Sequence, residues 1–392
     1  MSEWKEYKLE ELIETNVKSI GKDYPYSKIL YLDTGSITCN SIDTYQEFEI
    51  DKAPSRAKRL VNQNDIIYSS VRPNQLHYGY ITNPPDNLVV STGFVTITCN
   101  PKQLNAKFLY YYLTQSHITE YLHSVAEAST SAYPSLKPSD IEALDIETPP
   151  PDTQRRIASI LTSLDDKIDL LRRENATLEV MAETLFRQWF VVEAKYGEVV
   201  LGDVVKTTSG GTPSRKHPDY YENGTVCWVK SKELNGSFIS STEELITENA
   251  VANSSAKILP EKSVLIAMYG ATVGEYGILS RPMTCNQAVC ALIPNEKYPF
   301  TYLFVWAATM KQEFINLATG AAQQNISQDL VKQQYVYGDI EKIKEYDSCV
   351  RSLFDKMENN QEQINTLIQT RDGLLPRLMS GEIKVKRMET II

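Results

Sequence analysis

Three parts of this sequence carry residues of a type that could do chemistry, and each fails on its neighbours or its spacing. Asn83-Pro84-Pro85-Asp86 offers the amide and prolyl carbonyl that can grip the exocyclic amine of a flipped base. That chemistry needs an aromatic ring in the fourth position, and Asp86 cannot stack. It also needs a glycine-rich loop for a nucleoside cofactor, yet no two glycines here are separated by a single residue. The segment reads as a Pro-Pro turn. Pro151-Asp152 and Glu193-Ala194-Lys195 have the letters of a magnesium-dependent nuclease, but they flank a long helical stretch and cannot converge on one ion. There is no GxxxxGK(S/T) phosphate loop and no GxSxG elbow. The six cysteines contain no CxxC, and the four histidines have no ligand spacing. Cys285 and Cys290 lie in an apolar, strand-like run and read as buried free thiols rather than a metal pair. The expectation is a binder or organiser with no catalytic residue, metal or cofactor of its own.

The strongest pattern positions two binding surfaces. From Ile157, apolar residues recur in a 4-3 alternation that includes Leu161, Leu164, Ile168, Leu171, Leu178 and Leu185, with Asn175 as the polar interruption. That is a heptad seam over more than four repeats. Pro149-Pro150-Pro151 ends whatever precedes it, and Asp152 or Thr153 supplies an N-cap oxygen. Asp166-Lys167-Ile168 returns as Asp355-Lys356-Met357, Leu178 as Leu367 and Leu185 as Leu374, always 189 positions later. The second seam therefore includes Leu353, Met357, Asn360, Ile364 and Leu367. Gly373 and Pro376 should loosen its last turns, and Ser380-Gly381 should cap it. If the helices pair antiparallel with Asn175 opposite Asn360, partner numbers sum to 535. Trp189 then meets Tyr346, and Leu164 meets Arg371 badly. In the alternative, both amides sit at the edge of the seam and face water.

The globular segments repeat more loosely. Asn64–Tyr68 followed by His77–Ile81 matches Lys262–Ile266 followed by Glu275–Leu279 at an offset of 198. Phe108–Tyr112 matches Tyr302–Trp306 at 194, and Asp140-Ile141 matches Asp329-Leu330 at 189. The drift is what loops of unequal length would produce, and loops are where binding chemistry is carried. The expected fold is α+β: two pseudo-repeated α/β domains joined and separated by two long antiparallel coiled-coil helices. The expected boundaries are 1–150, 151–195 for the central helix, 196–341, and 342–392 for the C-terminal helix and tail.

Composition is that of a soluble protein of two domains, with 42% hydrophobic and 23% charged residues. No apolar run approaches the ~18 residues that span a bilayer, and Met1-Ser2-Glu3-Trp4-Lys5 is not a signal peptide, so a reduced cytoplasm is expected. A net charge of −10 argues against a polyanion partner when taken whole. Its distribution weakens the objection, because basic loops interrupt acidic heads: Ser55-Arg56-Ala57-Lys58-Arg59 is one, and Lys206–His217 is another.

Several segments resemble one family. Pro150-Pro151-Asp152-Thr153-Gln154-Arg155-Arg156-Ile157, running into Leu164-Asp165-Asp166-Lys167-Ile168, is similar to the central-helix opening of specificity subunits of type I restriction–modification systems. Ala182–Phe190 resembles the close of that helix, and Arg371–Ile383 resembles the family's C-terminal helix ending. Ser209-Gly210-Gly211-Thr212-Pro213-Ser214-Arg215, with Trp228-Val229-Lys230 beyond, resembles the opening of many of its recognition domains. The second helix departs at its start, where Lys342-Ile343-Lys344-Glu345 replaces the proline-led pattern. Head one has Glu14-Thr15-Asn16-Val17 in place of the Gly-Gly-Thr-Pro-Ser opening.

The resemblance implies two target recognition domains, each reading one half of a split, asymmetric site on double-stranded DNA. It also implies helices that form a spacer and dock two methyltransferase subunits, with nuclease/translocase subunits in the same complex. S-adenosyl methionine would then belong to the methyltransferase partners, and no membrane would be involved. Helices of ~36 residues are roughly 55 Å long, which suits heads entering the major groove on successive turns. The residues expected to face DNA are Arg56, Lys58, Arg59 and Arg72 in head one. In head two they are Ser214, Arg215, Lys216, Lys230, Lys232 and Tyr269. Arg155, Arg172, Arg173, Glu179 and Glu183 are expected on the outer face left for partner helices. The rival from another class is an antiparallel coiled-coil scaffold that binds proteins and no DNA, supported by the net charge.

Overall fold

The computed structural model describes residues 4–128, 135–192, 197–318 and 325–385. Glu193-Ala194-Lys195 and the start and end of the chain, including Met1-Ser2-Glu3, lie outside the described residues. The chain forms two compact units, Met1–Asp166 with Ile368–Ile392, and Lys167–Leu367. Each unit takes a globular head and one end of each long helix.

In the first unit, strand Lys5–Lys8 pairs antiparallel with Asp145–Thr148 beside the central helix. An antiparallel sheet runs Ile13–Thr15, Phe94–Cys99, Ile66–Ser69, Tyr78–Tyr80. A second sheet runs Gln46–Glu49, Lys28–Leu32, Leu88–Ser91, Ala57–Leu60, with one parallel pair in its middle. Helices Ala106–Leu113 and Ser116–Glu127 bury Phe108, Leu109, Leu113 and Leu122. The core continues through Ile157, Ala158 and Leu161 of the central helix and Leu378 and Met379 of the C-terminal helix.

The second unit repeats this plan. Glu198–Val200 pairs with Tyr335–Tyr337, and a five-stranded sheet runs Lys206–Ser209, Val289–Ile293, Val264–Ala267, Tyr276–Leu279, Ser237–Ile239. One helix, Phe300–Leu317, covers it. The repeat holds at the level of single hydrogen bonds. Asn64 (φ +71°) and Lys262 (φ +63°), 198 apart, both adopt the left-handed conformation before a hairpin strand. Asn64 N–H donates to Ile81 O at 2.9 Å, and Lys262 N–H donates to Leu279 O at 2.7 Å, again 198 apart. The fold is therefore mixed α and β, with two pseudo-repeated heads and two long helices that run antiparallel within each unit.

Local structure corrects several expectations. Two supposed basic loops begin or end in strands: Ala57–Leu60 pairs with Leu88–Ser91, and Lys206–Ser209 pairs with Val289–Ile293. The alternation of buried Ala57 with exposed Lys58, and the β-branched Thr207-Thr208, are the strand signals. The central helix is Pro151–Arg187, so Pro151 is its first residue and neither Asp152 nor Thr153 is its cap. A proline fits there because the N–H it lacks would have no helical partner. Thr153 and Gln154 N–H both bond to Pro150 O, at 2.8 and 3.1 Å. The C-terminal helix is Ile340–Met379 and runs through Pro376 instead of loosening there. Asp339 caps its start, accepting from Lys342 N–H at 3.1 Å. Gly381, at φ +73°, ends the turn that follows it.

The seam is less uniform than a free coiled coil. Of Leu161, Leu164, Leu178, Leu353 and Leu367, only Leu161 is fully covered; the other four are half-buried. Ile168, Leu171, Met357 and Ile364 are buried. The heads pack on the helices as well, so burial moves to positions that face both. Phe186, Phe190, Ile343, Tyr346, Val350 and Phe354 are buried in the core of the second unit. Glu179 is not on an outer face: Tyr276 Oη donates to its Oε1 at 2.7 Å, and burial raises its carboxyl above the usual range.

Candidate functional site

The Gly-Gly-Thr-Pro-Ser-Arg segment follows strand Lys206–Ser209 in the second unit. Gly210 and Gly211 are required by close approach, since a Cβ would clash with Cys285 O in one case and Ser255 in the other. Two aromatic side chains tie the loop down. Trp228 Nε1 donates to Gly211 O at 2.9 Å, and Tyr221 Oη donates to Pro213 O at 2.5 Å. Trp228 sits in strand Val226–Val229, inside a small core with Ile246, Ala250 and Ala256.

This anchoring fixes where Arg215 points. Its guanidinium lies 4.0 Å from the Tyr221 ring centroid and 5.6 Å from that of Trp228. Both terminal nitrogens are taken by the Glu244 carboxylate, Nη2 at 2.8 Å to Oε2. Lys230 reaches the same carboxylate at 2.7 Å while lying 5.7 Å from the Trp228 centroid. Lys232 pairs with Glu243 at 2.5 Å. Glu233 ties the two ends of the connecting segment together, accepting from Lys230 and Glu243 N–H at 2.7 Å each. The hydrogen bond from Arg215, helped by Lys230, holds the Glu244 carboxyl down at about 2. Glu243 is shifted down by its bond to Lys232.

The cations expected in head two are thus brought together, but mostly paired. Sequence reasoning picked out Arg215, Lys230 and Lys232 and missed Glu243-Glu244, which arrive from a turn with no motif of its own. Ser214 and Lys216 are exposed on the loop, and Ser214 Oγ accepts from Lys216 N–H at 3.3 Å. Tyr269 is 38% exposed in a separate turn, where its carbonyl accepts from Thr272 Oγ1 at 3.0 Å.

Head one presents a different surface. Arg56, Lys58 and Arg72 are exposed and make no ion pair among the described residues. Arg59 lies alongside Lys58 on strand Ala57–Leu60 but is half-buried; burial lowers its pKa, and its Nε has no hydrogen-bond partner among the described residues. Arg72 has φ +48°, a conformation uncommon outside glycine, and opens the short turn Pro73–Gln75. Asn83 bends the chain at φ +47°, and the turn closes over Pro85–Leu88, with Leu88 N–H bonded to Pro85 O at 2.9 Å. Asp152 pairs with Arg155 on the central helix.

The described residues contain no group of His, Cys, Asp or Glu able to hold a metal, and no helix long and apolar enough to cross a membrane. Cys285 and Cys290 are buried and unbridged, and burial pushes both thiols up to about 12.

The proline-led opening of the central helix also has a physical explanation. Gln154 is buried and bridges three segments, accepting from Asn105 N–H at 2.8 Å and donating to Gln103 O at 3.0 Å and Pro149 O at 2.9 Å. One side chain fixes the helix start against the head.

Comparison with known proteins agrees with this architecture. The model for the type I restriction modification DNA specificity domain matches residues 1–180 and 193–337. The chain is 27% identical to the HindI specificity subunit of Haemophilus influenzae, over 98% of this chain and 100% of that one. It is 26% identical to the MjaIX specificity subunit of Methanocaldococcus jannaschii, over 96% and 98%. The solved S subunit of a type I restriction-modification system from M. genitalium shares the fold, with a TM-score of 0.56 at 17% identity over 96% of both chains. A family model matched over both heads, and relatives of one kind matched over nearly their whole length, lead to one conclusion: the chain belongs to the family of type I restriction–modification specificity subunits.

Proposed function

We propose that this chain reads a bipartite, asymmetric site on double-stranded DNA, one half with each head. In this reading it positions two methyltransferase subunits, together with nuclease/translocase subunits, of a type I restriction–modification complex. The observation that carries the reading is the repeat itself: two heads built on the same hydrogen-bonded frame carry different surfaces. Exposed Arg56, Lys58 and Arg72 in one head, with no ion pair among the described residues, and an aromatic-backed Arg215 and Lys230 in the other, suit unequal half-sites. The central helix leaves Leu170, Arg172, Arg173, Val180 and Met181 exposed, both basic and apolar surface that partner helices could cover. The chain itself performs no catalysis; S-adenosyl methionine and the transfer chemistry belong to the methyltransferase partners, in the cytoplasm.

A second reading, a coiled-coil scaffold that binds only proteins, is favoured by one observation: the head-two cations are neutralised by Glu243 and Glu244. Methylome sequencing of a host carrying this chain and its partner subunits tests the first reading. The expected result is one methylated motif with two specified halves and an unspecified centre. A salt series on duplex binding separates the rivals, because phosphate contacts make log K fall linearly with log salt. Absence of duplex affinity at any salt would leave the scaffold.

A further inference from the structure

We propose that the Glu244 carboxylate occupies the seat of a DNA phosphate, and that a phosphodiester takes its place when head two binds. This rests on the DNA-reading function above. The argument is geometric. Arg215 delivers both terminal nitrogens of its fork, and Lys230 its ammonium, to a single carboxylate. A planar fork and a point charge converging on one anion is the arrangement that also receives phosphate oxygens.

The seat is built rather than incidental. Tyr221 and Trp228 back the cations with their ring faces and are themselves bonded to the loop that carries Arg215. Glu233 ties together the two backbone segments from which Lys230 and Glu243 project. The Arg215 side chain is still 57% exposed, so its far side is open to a ligand.

Glu244 is then a positioning residue. It holds the two cations converged while no DNA is present and competes with phosphate when DNA arrives. Displacing it leaves a carboxylate that must be resolvated or pick up a counterion, so the wild-type chain gains less from this contact than its two cations could give. The wider cluster is balanced in the same way, with Arg215, Lys230 and Lys232 set against Glu233, Glu243 and Glu244.

The test uses the full-length chain and a duplex carrying its methylated motif, with affinity measured over a salt series. Glu244→Gln should bind more tightly, by about tenfold near 0.1 M salt, with a log–log slope steeper by about one ion. Glu244→Asp, which restores the charge, should return both toward wild type. The decisive arm is the Arg215→Ala/Lys230→Ala background, where Glu244→Gln should have no effect. If it still tightens binding there, Glu244 acts by general repulsion and the seat is wrong. If Glu244→Gln changes nothing in the otherwise wild-type chain, the seat is equally wrong, while wild-type affinity for the duplex keeps the DNA-reading function standing. If the wild-type chain shows no duplex affinity, the underlying function fails first, and the two failures remain distinct.

Discussion

Asn360 Nδ2 donates to Asn175 Oδ1 at 2.9 Å, joining the only two amides on the helix seams at one layer. Asn175 Nδ2 in turn donates to Met357 O at 3.2 Å, and Asn360 is fully buried. At another layer of the same register, Trp189 and Tyr346 have ring centroids 6.1 Å apart. The polar layer gives up some burial and excludes neighbouring registers, in which an amide would face leucine. Asn360→Leu should therefore cost about 1–3 kcal/mol, because Asn175 Oδ1 and Glu174 Oε2 lose the Asn360 donor. Leucine at both positions should recover most of that. Denaturant midpoints decide it: a single variant as stable as wild type would mean the amides do not set the layer.

One departure from the repeat's symmetry exchanges an ion pair for an aromatic core. Asp165 corresponds to Phe354, and Arg371 corresponds to Ala182, each at an offset of 189. In the first unit Arg371 donates to Asp165 at 2.8 Å, and Tyr111 Oη donates to the same carboxylate at 2.6 Å. In the second unit Phe354 packs edge-on to Phe304 at 5.4 Å and Phe300 at 5.7 Å. Phe354→Ala should cost about 3–5 kcal/mol, as large cavities in aromatic cores do. Arg371→Ala, at a partly exposed pair, should cost only about 1 kcal/mol. Equal losses at the two sites would show that the ion pair carries more than its exposure suggests.

These two layers also show what the sequence could and could not reveal. The heptads, the register and the repeat were legible because periodicity and constant offset are properties of the chain alone. Burial of Phe186, Phe190 and Phe354 was not, because it depends on a head packing across the helix. Arg215 was legible through its glycine-rich loop. Its pairing with Glu244, 29 residues further on, was not, because strand pairing and not a motif brings Glu244 back beside that loop. Glu179 was misread for the same reason: only the fold places Tyr276 over it.

Acid should open the head-two cluster in a defined window. The Glu244 carboxyl is held below its ordinary value of 4.5, at about 2, so its pairing adds stability that is complete above 4.5 and fades as pH falls toward 2. Trp228 lies beneath Arg215 and Lys230 and should report the change. Its fluorescence should be flat from neutral pH down to the ordinary carboxylate value and shift below it. Glu244→Gln should abolish that shift. A transition centred above the ordinary value, or one that survives in the glutamine variant, would assign the change to another group.

If the two long helices set the distance between half-sites, spacing should follow helix length and not head chemistry. The central helix has 37 residues and the C-terminal helix 40. One heptad inserted in each, at matched layers beside Asn175 and Asn360, preserves the 4-3 pattern and adds about 10 Å along the axis. At 3.4 Å per base pair that is roughly three base pairs. The loops that read bases, including the one tied by Trp228 to Gly211, are untouched by the insertion. The methylated motif should therefore keep both halves and lengthen only its unspecified centre, as methylome sequencing would read directly. Altered half-site letters with an unchanged gap would mean that the heads do not read independently, and that something other than helix length sets the spacing.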